Sequence, residues 1–334
     1  MRALCIGGTG VISSAVAELA VRRGWEVIAL NRGNREVPAG VMSWQADIRQ
    51  EREVAALVER ESFDVVMDFI AYTREDVERD WRIFRGKTKQ YIFISSASAY
   101  QKPLTDYVVN ESTPLANPYW QYSRDKIACE DFLMNKYREE GFPVTVVRPS
   151  HTYCERSVPV GVQGKNGSWQ VLKRMLDGKA VIVHGDGTSL WTMTHSTDFA
   201  KGFVGLMANP HVLGHAIQIT SDESMSWNQI YSCIAQALEV PFRPVYVPSA
   251  LLAGSQFYDF KGNLLGDKAH SIVFDNAKLK HFVPGFTATI SMREGITAAV
   301  SYVVAHPENQ IEDPEFDGWC DQVISGLDGL RAII

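Results

Sequence analysis

The feature that most limits how this chain can fold lies at its start. A four-residue apolar run, Ala3–Ile6, meets Gly7-Gly8-Thr9-Gly10, and an amphipathic stretch follows at once. Ser14–Arg23 carries Val16, Leu19 and Ala20 on one side and stops at Gly24, which predicts a helix with a glycine terminator. A strand that turns through glycines into a helix leaves unpaired N–H groups and partial positive charge at the turn. A pyrophosphate can approach that backbone closely. The third glycine of the usual pattern is replaced by Ser13, which predicts strained helix–strand packing.

The rest of the first 150 residues repeats the alternation. Trp25–Leu30, Val65–Ile70, Tyr91–Ser95 and Val144–Arg148 read as strands, Val54–Glu61 and Tyr119–Tyr137 as helices. Near-continuous apolar strands between helices predict a parallel sheet covered on both faces. The segment 155–168 holds Gly161, Gly164 and Gly167 with little periodicity and reads as a loop over a cleft. Val181–Val183 and Ala216–Thr220 read as further strands and Asp222–Leu238 as a helix. The fold class is therefore α/β, a Rossmann-type doubly wound parallel sheet with a smaller C-terminal α+β region. Residues 1–160 form the dinucleotide-binding domain, with returning segments near 181–222. Residues 161–334 are mainly substrate-binding and interleaved with it. The 334 residues are about two domains' worth.

The second strand runs into Leu30-Asn31-Arg32-Gly33-Asn34-Arg35. An acid at this turn would bind the ribose hydroxyls of NAD, whereas arginine accepts the 2′-phosphate of NADP. Asn31 in the acid's place, with Arg32 and Arg35 beside it, favours NADP over NAD. Asp47-Ile48 stands at a distance suited to the adenine pocket.

Tyr122 and Lys126 are four apart on a predicted helix and share one face. A phenol has a pKa of about 10, and bringing it to about 7 needs about 4 kcal/mol of preferential phenolate stabilisation. A nearby ammonium in a dry cleft, aided by the positive charge of a nicotinamide, can supply this. Tyr119 lacks a lysine at the matching offset, so Tyr122 is the better candidate. Ser95-Ser96 falls at the carboxyl end of a strand, where doubly wound sheets place ligands. A serine hydroxyl there can bond a substrate oxygen while tyrosine moves its proton.

With these residues in view, the chain resembles the extended or atypical short-chain dehydrogenase/reductase superfamily, and within it the NAD-dependent epimerase/dehydratase branch. The resemblance rests on Gly7-Gly8-Thr9-Gly10, Ser95-Ser96-Ala97-Ser98-Ala99-Tyr100, Tyr122-Ser123-Arg124-Asp125-Lys126 with Glu130, and Arg148-Pro149. Gly185-Asp186-Gly187-Thr188, His195 and Asp198, and Phe274-Asp275-Asn276-Ala277-Lys278 extend it to about residue 285. It implies Ser96 as the catalytic serine, Tyr122 as the base and Lys126 as the lysine that lowers its pKa and holds the nicotinamide ribose. It implies Val11, Ile12, Phe69, Ile70, Ala71, Pro149 and His151 as further cofactor contacts. The implied chemistry is reversible hydride transfer at a carbinol of a sugar, sugar nucleotide or sugar-like compound. Dimerisation of relatives through a four-helix bundle implies a homodimer, which the long Tyr119–Tyr137 helix could form.

The pattern is broken in three places. Sugar-nucleotide dehydratases carry Asp-Glu after the active-site Ser or Thr, where this chain has Ala97 and Ser98, so the 4,6-dehydratase route is disfavoured. An arginine that clamps the substrate diphosphate is replaced by Trp191, which can stack on a sugar or pack in the core. Arg243, Lys261 and Lys268 are the candidates to replace that clamp. His151 stands where the family often has asparagine. Ser98, His151 and Trp191 are thus the candidate substrate contacts. Three functional readings follow: an epimerase that retains its cofactor, an NADPH-dependent carbonyl reductase that exchanges it, and a non-catalytic RNA-binding or NADP-sensing relative.

Composition narrows this list. The net charge is −6 and no basic run exceeds two residues, so the stripe expected of a nucleic-acid binder is missing. The odd count of five cysteines, none at metal-ligand spacing, predicts neither a disulfide framework nor a metal site. No uncharged apolar run approaches about 18 residues and no leader-like segment opens the chain, which predicts a cytoplasmic protein without a membrane partner.

Overall fold

Seven short apolar runs pair in parallel into one sheet: β1 (Arg2–Ile6), β2 (Glu26–Asn31), β3 (Met42–Gln45), β4 (Val65–Asp68), β5 (Tyr91–Ile94), β6 (Val144–Pro149) and β7 (Ala216–Ile219). The computed structural model describes residues 1–331 and 333. Spatial order is β7-β6-β5-β4-β1-β2-β3, with Ala3 opposite Val27 on one side and Val65 on the other. Ligands bind such a sheet where the strand order reverses, beyond the carboxyl ends of β1 and β4.

The apolar runs are continuous because both faces are covered. On one face Ala3, Cys5, Val65, Met67 and Ile92 pack against α1 (Val11–Arg22) and against a later helix at 196–206. On the other, Leu4, Ile6, Val66 and Phe93 pack against α2 (Glu51–Leu57), α3 (Arg74–Phe84) and α4 (Gln121–Glu140). A third apolar core joins Val160, Val162 and Trp191 to α5 (Trp169–Leu176), α6 (Trp227–Ala237), α7 (Met292–Ala305) and α8 (Pro314–Arg331). All five cysteines are free and buried.

Several boundaries differ from the periodicity, α2 at Glu51–Leu57 in place of Val54–Glu61 among them, and three have clear local reasons. Helix α1 starts at Val11 rather than Ser14, because the glycine turn itself forms the cap. Helix α4 runs on to Glu140 and ends at Gly141, whose φ of +68° closes it in the left-handed conformation. The helix expected over 222–238 starts at Trp227, because Met225–Ser226 pairs with Leu190–Trp191 and Ser226 caps the helix through Gln229. Helix α3 sets Val77, Trp81 and Phe84 at helical spacing and buries Arg79 and Asp80 beside them as an ion pair.

Candidate active site

The glycine turn closes over β2 and the loop after β4. Gly8 has φ +73°, and a Cβ there would lie 2.8 Å from Cβ of Ala29; one on Gly7, φ +108°, would lie 2.9 Å from Cγ2 of Ile70. The backbone is thus as close to its neighbours as glycine permits. Ser13 is buried, and its hydroxyl accepts the Gly10 N–H at 2.9 Å. The serine in the third-glycine position therefore braces the turn. Gly8→Ala would cost about 1–2 kcal/mol for the conformation and about 1–3 kcal/mol for overpacking. Calorimetry should show a lower melting temperature, and titration with a nicotinamide dinucleotide a weaker affinity.

A cleft of about 710 Å³ opens beside this turn. Gly7, Thr9, Asn31, Arg32, Asp47, Ile48 and Ile70 line it, together with Asn34, Arg35, Arg49, Asp76 and Arg79. Gly8, Gly10, Val11 and Ala71 do not form its wall. The Asn31 side-chain oxygen accepts the Gly33 N–H at 2.7 Å, which ties down the turn that presents Arg32. Arg49 holds Asp47 with a 2.6 Å contact, and this bonding pushes the Asp47 carboxyl down to about 2 against a small burial effect. A cradle that excludes any Cβ, a helix N-terminus and exposed arginines fit a dinucleotide.

A second cavity, of about 330 Å³, adjoins the cleft at Tyr72, which lines both. The sequence-predicted trio Ser96, Tyr122 and Lys126 meets on its wall. Ser96 sits just beyond β5, Tyr122 in the first turn of α4 and Lys126 one turn on. Ile12, Phe69, Pro149, His151, Ser98 and Trp191 line it too.

The Lys126 ammonium is buried and donates to the carbonyls of Ala71 at 2.6 Å and Ile94 at 2.7 Å. It lies 4.7 Å from the Tyr72 ring centre and 5.8 Å from that of Tyr122. Burial pushes its pKa down to about 8, with Asp68 opposing. Burial pushes the Tyr122 phenol up to about 12, while a hydrogen bond with Ser96 works the other way. Without the nicotinamide's positive charge, which the expectation of a lowered phenol included, the phenol is raised. Two of the three Lys126 donors go to carbonyls, and desolvation is the largest influence on the phenol.

The hydroxyls form a chain. Ser123 donates to Ser98 at 2.8 Å, and Ser98 meets Ser96 at 2.8 Å. Asn117 donates to the carbonyls of Ser98 and Gly266, both at 2.8 Å, and so joins the serine turn to a π-helical turn at Leu264–Lys268. Asp68 accepts the N–H groups of Ile70 and Ala71 at 2.9 and 3.0 Å, which fixes the carbonyl that Lys126 reads. Ser95 turns the other way and donates to Glu130 at 2.5 Å, where Arg148 also binds.

Burial pushes His151, on the cavity wall, down to about 3, so it is neutral near pH 7. Trp191 is both a wall and a core residue, 5.7 Å from Trp227 between ring centres, with its indole N–H unpartnered. The three cations considered as a diphosphate clamp are elsewhere. Arg243 donates to the Gly178 carbonyl, Lys268 faces the Val160 and Gly161 carbonyls at 3.3 and 3.4 Å, and Lys261 is exposed. None of the three lines the cavity. Asp186, Asp198 and Asn276, from the later motifs, tie loops through hydrogen bonds to Thr188, Ile290 and Thr220. Sequence reasoning did not single out Tyr72, Trp120 or Asp267 as cavity walls. Trp120, two residues before Tyr122, was within reach of the helix argument; Asp267 had no local signal.

Among the described residues, no helix is long and apolar enough to cross a membrane, and no cluster of His, Cys, Asp or Glu could hold a metal ion. Residues 3–219 match the NAD dependent epimerase/dehydratase family model. The chain is 26% identical over 289 residues to 2'-dehydrokanamycin reductase of Streptomyces kanamyceticus, covering 86% of this chain and 80% of that one. It is 24% identical over 180 residues to dTDP-D-glucose 4,6-dehydratase of Homo sapiens, 49% of each chain. The fold is similar to that of the UDP-glucuronic acid 4-epimerase of Bacillus cereus, solved with UDP-glucuronic acid and NAD: TM-score 0.72, 18% identity, 91% of this chain and 99% of that one.

Proposed function

The chain belongs to the NAD-dependent epimerase/dehydratase family, and on that premise we propose that it oxidises and reduces a carbinol of a sugar or sugar-like compound, with Ser96, Tyr122 and Lys126 as the catalytic residues. The observation that carries this reading is the meeting of the three on one wall of a cavity that adjoins the glycine cleft. When bound, the nicotinamide cofactor supplies the hydride acceptor or donor and, oxidised, a positive charge. Gly7, Thr9, Arg32, Asp47, Ile48 and Ile70 would hold its adenosine and pyrophosphate end, and Ile12, Phe69, Pro149 and His151 the nicotinamide end.

Tyr122 moves the proton at the substrate oxygen, Ser96 bonds and orients that oxygen, and the Ser98–Ser123 hydroxyl chain orients Ser96. Lys126 fixes the loop at Ala71 and keeps a positive charge beneath the phenol. Ala97 and Ser98 supply no general acid for elimination, so epimerisation or simple oxidoreduction is the route proposed. The same proposal takes the protein as cytoplasmic and as a homodimer formed through the long helix α4; sedimentation measures whether a dimer is present.

The test is the fate of the cofactor. A purified protein that carries bound nicotinamide and interconverts two sugar epimers supports the epimerase. One that releases cofactor freely and consumes NADPH with a keto-sugar supports the reductase. No turnover with any sugar or keto-sugar would defeat both.

Arg32 and Arg35 in the cleft support NADP over NAD. In Arg32→Ala, NADP affinity is expected to fall about 10-fold or more, the scale of one charge-assisted contact, with NAD affinity little changed. Isothermal titration with both cofactors checks this; equal losses would remove the 2′-phosphate role.

A further inference from the structure

Asp267 is the acid that lines the substrate cavity among the described residues. Asp267 is partly buried, whereas the fully buried Asp68, Glu130 and Asp198 are satisfied: Asp68 by two backbone N–H groups, Glu130 by Ser95 and Arg148, Asp198 by Lys201 and two backbone N–H groups. The Asp267 carboxylate accepts no hydrogen bond from any described group. Lys102 and Lys268 act on it through space without closing an ion pair, and neither lines the cavity. Lys268 donates to two carbonyls, and the Lys102 ammonium is buried without a partner.

The other charged wall residue is Lys126, already committed to the Ala71 and Ile94 carbonyls. A diphosphate entering here would meet a carboxylate and find no free cation. The remaining walls include Tyr72, Trp120, Tyr122 and Trp191. Aromatic faces around a carboxylate attract an ammonium by charge and by the ring quadrupole. Burial pushes Asp267 up to about 6 against the pull of Lys102 and then Lys268, so it is mostly ionised at pH 7.

We propose that Asp267 selects the substrate, its carboxylate pairing with a protonated amine, so that the compound accepted is an amino-substituted sugar or cyclitol without a nucleoside diphosphate. This deepens the reading of the cavity as the substrate site and rests on it. A partly exposed carboxylate on a cavity wall, with no donor from the protein, is open to a charge-assisted bond from a ligand.

The test is calorimetric titration of the cofactor-saturated protein. The probes are 2-amino-, 3-amino- and 6-amino-deoxyglucose, 2-deoxystreptamine, D-glucose and UDP-glucose. At least one amine probe should bind about 10-fold or more tightly than glucose, and Asp267→Asn should remove that preference. Ser150→Trp, which fills the cavity from its wall, should abolish binding. An amine preference lost in Ser150→Trp but kept in Asp267→Asn would overturn the role of Asp267 and leave the site reading standing. Binding unaffected by Ser150→Trp would overturn both. Tighter binding of UDP-glucose than of any amine, or no amine binding at millimolar concentration, would also overturn the proposal.

Discussion

In Tyr122→Phe, turnover is expected to fall about 100-fold or more while cofactor affinity stays within about twofold. The change removes one hydroxyl and keeps the ring, which sits 5.0 Å from Trp120 and 6.3 Å from Tyr72 between centres. The lost hydroxyl is the proposed proton carrier, and loss of a positioned acid–base group has this scale. Stopped-flow absorbance gives the turnover and fluorescence titration the affinity. Undiminished turnover would contradict the assignment. A pH profile adds an independent reading. Lys126 is pushed down to about 8 by burial, so its positive charge is lost as pH rises through that value. Turnover that depends on the ammonium should therefore decline above about pH 8, well below the ordinary lysine range of about 10.4.

Glu130→Gln is expected to destabilise the fold by about 3–5 kcal/mol, the cost of leaving a buried charge without its partner. Glu130 and Arg148 are both almost fully buried, 4% and 5% exposed at the side chain, and meet at 2.5 and 3.0 Å. Burial alone would lower the Arg148 pKa and the Glu130 carboxylate outweighs it; a guanidinium stays charged even without that partner, so Glu130→Gln leaves a buried cation unpaired. The expected fall in melting temperature is about 5–15 °C. Arg148→Lys should not be benign, because an ammonium cannot reproduce the forked contact. The double change Glu130→Leu with Arg148→Met should recover most of the loss, since well-packed apolar replacements of buried pairs are often neutral or better. A melting temperature for Glu130→Gln within about 2 °C of the native chain would refute the account. Because Glu130 also accepts from Ser95 at 2.5 Å, the same variant loosens the turn that carries Ser96.

Much of the fold was legible because its signals are local. Strands buried on both faces read as apolar runs, and glycine turns announce themselves. Tyr122 and Lys126 share a face because the helix repeat puts residues four apart together. Ser96 was placed by the end of β5. Helix α3 was passed over although Val77, Trp81 and Phe84 recur at helical spacing, because the charged residues between them dilute the stripe, and Arg79 and Asp80 among those charges turn out to pair inside the protein. Strand β3 was weak for the opposite reason: it is an edge, and most of its residues are exposed.

The chain alone determined the parallel sheet, the phosphate turn and the three candidate catalytic residues, since each depends on neighbours within a few positions. The tertiary structure decided how those residues are charged and what faces them. Lys126 reaches one carbonyl in the loop after β4 and one at the end of β5, burial outweighs other influences on the Tyr122 phenol, and Asp267 arrives from a distant turn. Desolvation and charge act through space over every nearby atom, whatever its place along the chain, so no local pattern can encode them.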